Sequence, residues 1–243
     1  MAQLTHQGEI SVIITPDLDL ETLAQNVLYE DNHLLGLFKP AGMLTQGDST
    51  GRPSLLDLGK HWLQEKYQKP GQAFLGLLHR LDRPVSGVVL FAKTSKAARR
   101  LSAQFRNRQI IKIYLAVVEG HPAPPAGTAK VYLIRQGFKS VLTSPGKATA
   151  QSAELSYKTL KTGPRTSLVQ VIPATGRRHQ IRAQLAALGH PIYGDRNYGS
   201  SHGLEDGIIS LQAQSLTFHH PISAEQITLE APPPQGPPWS LLG

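Results

Sequence analysis

A charged, turn-forming stretch, His79-Arg80-Leu81-Asp82-Arg83-Pro84-Val85-Ser86-Gly87, runs directly into the apolar run Val88-Val89-Leu90-Phe91-Ala92. An apolar run of this length without alternation is typical of a strand that is covered on both faces, so we expect a central strand from residue 87 to 92. The loop before such a strand lies at the mouth of the sheet, where a rigid scaffold commonly presents reactive groups. Asp82 is therefore a candidate functional carboxylate, and the alternative is a loop aspartate that only accepts backbone N–H bonds.

Outward from this stretch, the chain alternates strand patterns with fewer helix patterns. Further strands are expected at 10–14, 34–38, 110–118, 129–134, 153–160, 166–172, 211–218 and 227–229. Helices are expected at 20–27, at 54–67 with Ser54 as N-cap, after the N-cap Ser95 with Ala98, Leu101 and Phe105 buried, and from about 175 to 189 with Ile181, Leu185 and Leu188 buried. Residues 121–127 are expected to form a loop. Many strands with short connections predict an α+β fold, a mixed and mostly antiparallel sheet with flanking helices.

The composition indicates a soluble protein with an anionic partner. The 243 residues are 40% hydrophobic, which is enough for a core, and 25 Lys and Arg against 17 Asp and Glu give a net charge of +8. A positive chain attracts polyanions, of which nucleic acid is the commonest. No cysteine is present, which excludes disulfides, thiolate metal sites and a sulfur nucleophile.

Neither a signal peptide nor a membrane span is indicated. The first nine residues lack a basic segment followed by an apolar one, and no stretch approaches the ~20 apolar residues that cross a bilayer. We expect a cytoplasmic protein that does not associate with a membrane.

Several short motifs occur in an order that resembles one enzyme family. His79 to Asp82, followed by Ser86-Gly87 and an apolar strand, resembles the catalytic motif of the RluA-type pseudouridine synthases. Four further segments match that family in order and approximate spacing: Lys39-Pro40-Ala41-Gly42, Lys112-Ile113-Tyr114, Thr175-Gly176-Arg177-Arg178-His179-Gln180-Ile181-Arg182, and Gly189-His190-Pro191-Ile192-Tyr193-Gly194-Asp195. The family's closing strand is matched by Ala213, Leu216, Phe218, His220 and Pro221. The resemblance extends over about residues 34–232, and the ordered set is far more specific than any one motif.

The resemblance implies a pseudouridine synthase fold with a central catalytic cleft, and an enzyme that converts uridine in structured rRNA or tRNA to pseudouridine. It makes Asp82 the catalytic carboxylate and places Arg182 against it. A cation there is physically useful, because burial under RNA favours the neutral acid unless a positive charge is close. It also makes Tyr114 the ring that stacks on the uracil, Ile181 an apolar neighbour of the base, and Arg80 the side chain that fills the gap left by the extruded nucleotide.

Other side chains of these motifs have simpler roles. Lys39, Arg177 and Arg178 are expected to bind substrate through phosphates, and helix geometry places Arg178 and Arg182 beside the buried stripe. Phosphate attraction is also expected from Arg99, Arg100, Arg106 and Arg108. His79, which is also counted among the substrate-binding residues, and His179 are expected to hold loops at the site by hydrogen bonds. Plain core packing is the alternative for Tyr114 and Ile181, and a phosphate contact is the alternative for Arg80.

The expected organisation is an N-terminal extension at 1–30, a catalytic domain at 31–232 and a Pro-rich tail at 233–243. Many relatives carry an S4-type RNA-binding domain at the N-terminus, for which some thirty residues are too few. We expect a monomer that needs no cofactor. No metal site is expected either, because no carboxylate or thiol partner of the histidines occurs at zinc-like spacing. The motif departs from the commoner family pattern at Arg83-Pro84-Val85.

Two other functions fit the same residues. A non-catalytic RNA-binding or ribosome-assembly protein on this fold would keep the basic surface without the reaction. A glycosidase would need a second acid ~5–9.5 Å from Asp82, for which Asp195 is the candidate, although a role in ordering a loop suits Asp195 better.

Overall fold

The computed structural model describes residues 20–49, 51–68 and 70–242, so the strand expected at 10–14 lies outside the described residues. The helices are α1 (Leu20–Leu23), α2 (Leu55–Lys66), α3 (Ser95–Arg106) and α4 (Gln180–Ala187). The strands are β1 (Val27–Glu30), β2 (Leu34–Lys39), β3 (Gly76–Leu77), β4 (Ser86–Ala92), β5 (Ile111–Glu119), β6 (Ala126–Gln136), β7 (Lys139–Thr143), β8 (Gln151–Thr162), β9 (Thr166–Pro173), β10 (Leu211–His219) and β11 (Gln226–Glu230). Short 3-10 turns cover Ala24–Asn26, Arg196–Tyr198, Glu205–Gly207 and Trp239–Leu242.

All these strands form one sheet in the order β1-β2-β4-β10-β5-β9-β8-β6-β7, with β11 beside β10 and β3 beside β4. Among the described strands, only the pairing of β10 with β4 is parallel, so the expected mixed, mostly antiparallel α+β fold is confirmed. Strand β4 is covered on both faces, as its unbroken apolar run predicts. Val89 and Phe91 belong to the core that includes α2, whereas Val88 and Leu90 belong to the core that includes α3.

A close approach between β4 and β10 joins the two halves of the sheet. Gly87 pairs with Ala213, and Ala213 pairs in turn with Tyr114 of β5. Gly87 has φ of 125°, and a Cβ on it would lie 2.2 Å from the Ala213 carbonyl oxygen. Only glycine fits there, and the contact brings the loop at 79–86 beside the strand that carries Tyr114.

Three helix expectations need correction at their ends. The helix expected from residue 175 begins at Gln180, because His179 adopts φ of 51°, in the left-handed region that cannot continue a helix. Leu188 lies beyond its last residue and is exposed rather than part of the core face.

Thr94, not Ser95, caps α3 by accepting a bond from the Ala97 N–H. The helix expected at 20–27 is shorter, because the chain turns into strand β1 at Val27.

Three strands, β1, β3 and β7, were not anticipated. Strand β7 lies at the edge of the sheet and pairs only with β6, so its mixed polar and apolar residues carry no strong burial signal. Strand β6 begins at Ala126, inside the loop expected at 121–127.

Residues near both ends of the described part of the chain contact this sheet. Strand β1 pairs with β2, and the Pro232 carbonyl accepts a bond from the Gln212 side chain. Within the described residues no helix is both long enough and apolar enough to span a bilayer. The division at residues 30 and 232 stays a prediction.

Candidate active site

A cavity of about 760 Å³ opens where the loop before β4, strand β5 and the segment entering α4 meet. Its walls carry seven basic side chains: Arg80, Arg106, Arg108, Lys112, Arg177, Arg178 and Arg182. Asp82 is the one acid among the described residues that line the cavity. A single carboxylate surrounded by cations suits a polyanionic ligand with one reactive point.

Asp82 lies in this cavity with its side chain 31% exposed. Its Oδ2 is 3.5 Å from Nη1 of Arg182 and 3.6 Å from Nε2 of His179. The loop that carries it is fixed on both sides, since Thr45 Oγ1 donates to the Leu81 carbonyl and the Val85 N–H donates to the Asp82 carbonyl. The arginine placed beside Asp82 by the sequence motif is thus found there.

Arg182 has a second and tighter partner in Asp195. Its Nε and Nη2 donate to the two carboxylate oxygens at 2.7 and 2.8 Å. Both side chains are buried, at 5% and 1% exposed. Burial by itself would lower the pKa of Arg182, but the hydrogen bonds and charge of Asp195, together with Asp82, raise it, so the guanidinium stays charged.

This pairing adds to the expected role of Asp195. Its backbone carbonyl orders the loop, as the sequence suggested, by accepting bonds from the Tyr198 and Ser200 N–H groups, and its side chain also orients Arg182. The result also weakens the glycosidase alternative, because both Asp195 oxygens are bound by the guanidinium and the side chain is only 1% exposed.

Tyr198 was missed by the sequence reasoning and lies behind the same arginine. Its ring centroid is 4.9 Å from the Arg182 guanidinium carbon. Its hydroxyl is 2.9 Å from His179 Nδ1, donates to the Ser140 carbonyl at 3.1 Å and accepts from the Ser140 N–H at 2.8 Å. Its position three residues after Asp195, on the 3-10 turn, was the available signal, because residues three apart lie on one side of such a turn.

His179 connects Tyr198 to Asp82 and holds the entry to α4. Burial lowers the pKa of His179; the charge of Asp82 opposes this, and Arg182 and Arg178 add to the lowering. At neutral pH the ring is therefore neutral, and its role in holding a loop by a hydrogen bond agrees with expectation.

Tyr114 and Ile181 both line the cavity, and Ile181 also belongs to the core. Burial, and then the charge of Asp82, raise the pKa of the Tyr114 hydroxyl well above its ordinary value. The phenol is therefore protonated at physiological pH. Ile181 thus packs in the core and also forms part of the cavity wall. Stacking of Tyr114 on a base stays a prediction.

His79 fixes the start of the loop, as expected. Its Nε2 accepts the Leu90 N–H at 3.0 Å, and its ring stacks on Phe105 with centroids 5.1 Å apart. Burial, and then the nearby charge of Lys112, lower the pKa of His79 to about 3. Arg80, the next residue, is exposed at the cavity wall.

Lys39 was wrongly expected to contact phosphate. Its side chain is completely buried, and its ammonium donates to the carbonyls of Pro40, Met43 and Arg83. Burial, the largest effect, lowers the pKa of Lys39 to about 7. With all three N–H groups used inside the protein, Lys39 joins the turn after β2 to the loop that carries Asp82.

The remaining cations differ in how free they are. Arg177 is partly buried and its Nε donates to the Ser152 carbonyl at 3.1 Å, whereas Arg178 is exposed and donates to the Phe138 carbonyl at 3.2 Å. Arg178 lies before α4, so helix geometry does not govern its direction. Lys112 is a further lining cation that was named only as part of a motif, and burial lowers its pKa.

The fold is that of the pseudouridine synthases. Human RNA Pseudouridylate Synthase Domain Containing 4 superposes with a TM-score of 0.76 at 25% identity, over 89% of this chain and 91% of that one. Human RNA Pseudouridylate Synthase Domain Containing 1 gives 0.71 at 25% identity, over 98% of this chain and 89% of that one.

Residues 33–187 match the family model described as RNA pseudouridylate synthase, and the chain belongs to that family. It is 34% identical to the dual-specificity RNA pseudouridine synthase RluA of Salmonella typhimurium, over 85% of this chain and 92% of the relative. It is 37% identical to tRNA pseudouridine synthase C of Pasteurella multocida, over 84% and 89%. The match to ribosomal large subunit pseudouridine synthase C of Vibrio vulnificus is 34% identical over 85% of this chain, which spans 65% of that relative's length.

Proposed function

We propose that this protein isomerises specific uridines in structured RNA to pseudouridine, with Asp82 as the essential carboxylate. One observation carries the proposal: the only lining acid among the described residues lies 3.5 Å from a buried guanidinium, in a cavity whose walls also carry seven basic side chains. The phosphates of RNA would be attracted by these basic side chains, and a nucleotide flipped out of the RNA would enter the cavity.

The reaction breaks the bond between ribose C1′ and uracil N1 and forms one between C1′ and C5. The C5 proton is lost and N1 gains a proton, so the product is an isomer and no oxidant or cofactor is consumed. An Asp82 oxygen can attack the sugar, attack C6 of the base or remove a ribose proton. Arg182 balances the charge of that oxygen, and Asp195 fixes the direction of the guanidinium.

The substrate side of the proposal rests on Arg80 and Tyr114. Arg80 is exposed at the wall beside Asp82, where it can fill the gap left by an extruded nucleotide. Tyr114 offers a protonated phenol and an aromatic face to the uracil. The relatives named for tRNA, for the large ribosomal subunit and for dual specificity support rRNA or tRNA as substrate. We further propose that the protein acts as a cytoplasmic monomer without a cofactor, through a catalytic domain at 31–232.

RNA labelled with tritium at uridine C5 tests the activity. The protein should release tritium to water, and Asp82→Asn should stop the release while RNA binding and the folded state persist. Asp57→Asn is the matched control, because Asp57 is an exposed carboxylate on α2 outside the cavity, and it should release label at the parent rate. Full release by Asp82→Asn would refute the role of Asp82. Binding of a full cellular RNA pool without any release would instead favour the non-catalytic RNA-binding function.

A further inference from the structure

The hairpin formed by β6 and β7 projects an uncovered aromatic side chain. Gln136 pairs with Lys139, so Gly137 and Phe138 form a two-residue turn, with Gly137 at φ of 57°. Phe138 is 85% exposed, more than any other large hydrophobic residue described. A phenylalanine left this open gains nothing from the fold, and its apolar area is available to a ligand.

The surroundings of Phe138 are positively charged. Arg135, Lys139 and Arg178 lie around the turn, with Arg135 donating to the Gly137 carbonyl and Arg178 to the Phe138 carbonyl. Residues 126–150, which contain the hairpin, include four Lys or Arg and no Asp or Glu. An exposed aromatic ring among cations suits a nucleobase together with its phosphate, because every base has a face that stacks and every phosphate is anionic.

The turn is also held against the active site. Arg178, which contacts the Phe138 carbonyl, lines the cavity that contains Asp82. Two residues further along, the Ser140 N–H and carbonyl both bond the Tyr198 hydroxyl, whose ring lies against Arg182. A nucleotide on Phe138 would therefore belong to the same RNA whose target nucleotide enters the cavity.

We propose that Phe138 is an RNA-binding residue that stacks on an unpaired base next to the target nucleotide in the same loop. The inference rests on the proposed function for the identity of the ligand, and extends it to a second contact outside the cavity. It also gives the hairpin a purpose that folding does not require: the protein recognises an open loop, since a base within a duplex has no free face for Phe138.

A stem–loop RNA with 2-aminopurine in its loop serves as the probe. Phe138→Ala should weaken binding about 10-fold at every salt concentration, with an unchanged salt slope, because stacking releases no counterions. Phe138→Trp should retain both affinity and the fluorescence quenching that stacking causes. Lys139→Ala should lower the salt slope. Leu142→Ala is the matched control, since Leu142 is 46% exposed on the same hairpin but away from the turn, and it should bind like the parent.

Three results would overturn the inference. The first is parent-like affinity and quenching for Phe138→Ala, and the second is no quenching by the unsubstituted protein. The third is an oligomer, seen by sedimentation, that Phe138→Ala converts to monomer, because a second copy of the chain would then cover the ring. Tritium release by the unsubstituted protein is measured in parallel. Release without an effect of Phe138 refutes this inference alone, and an effect of Phe138 without release refutes only the proposed reaction.

Discussion

Arg182 binds Asp195 more closely than it binds Asp82. Its contacts with Asp195 are 2.7 and 2.8 Å, against 3.5 Å to Asp82. The buried carboxylate thus fixes the guanidinium, and the partly exposed one stays free of a direct hydrogen bond and open to the cavity. This division lets one arginine balance the charge of Asp82 without a direct hydrogen bond to it.

The two carboxylates should therefore differ in their effect on stability. Asp195→Asn leaves a buried guanidinium without its paired charge, so the free energy of unfolding should fall by about 3–5 kcal/mol. Asp82→Asn removes a longer contact of a partly exposed group and should change it by less than about 1 kcal/mol. Urea unfolding at neutral pH compares the two. Equal losses would mean that Asp82 also supports the fold.

Arg182→Lys should separate charge from orientation. Lysine keeps one positive charge but cannot hold Asp195 through two parallel bonds while facing Asp82. We expect tritium release to fall by about 100-fold, since an ångström-scale displacement of an active-site group has effects of this size. Arg196→Lys, which replaces an exposed arginine close in sequence, is the control. Parent-like activity of Arg182→Lys would show that the charge alone suffices.

The stability of the protein should decrease as the pH falls below about 6.5, partly through His79. The unfolded chain binds a proton at the ordinary pKa of 6.5, whereas the folded pKa of His79 is about 3. The unfolded state therefore holds more protons between these values, and stability is complete above 6.5 and is lost toward acid at up to about 1.4 kcal/mol per pH unit.

His79→Gln tests this contribution, because glutamine can still accept the Leu90 N–H but does not titrate. Urea unfolding at about pH 7, 6 and 5 should show a shallower pH dependence for this variant. A parent-like slope in His79→Gln would mean that His79 binds protons equally in the folded and unfolded states.

Gly87→Ala should be among the most damaging single-methyl additions. The new Cβ would lie 2.2 Å from the Ala213 carbonyl oxygen, with backbone whose φ of 125° disfavours any side chain. Thermal unfolding should show a loss of at least about 2 kcal/mol, or no folded protein at all. Gly146→Ala, with nothing within 4 Å of its added Cβ, should change stability by less than about 0.5 kcal/mol. A mild effect at Gly87 would show that β4 and β10 can separate.

Local sequence determined much of this protein. The apolar run after Gly87 predicts a strand covered on both faces, and the strand β4 has a helix-containing core on each side. Ser54 and the apolar spacing after it predict α2 within a residue at each end. The ordered motifs indicate the family and bring forward Asp82, Tyr114 and Arg182, which the cavity unites. These features follow from burial pattern, capping and short motifs, all of which act over a few residues.

Only the tertiary structure decided which partners those residues have. Lys39 looks like a surface cation in sequence, and three backbone carbonyls around its ammonium make it an internal support. Asp195 and Tyr198 contact Arg182 because the turn after α4 folds back on that helix. Ser140 of the edge strand β7 also contacts this site, because its N–H donates to the Tyr198 hydroxyl. Contacts between segments distant in sequence depend on how strands pair and loops close, and no local pattern of charge or hydrophobicity encodes them.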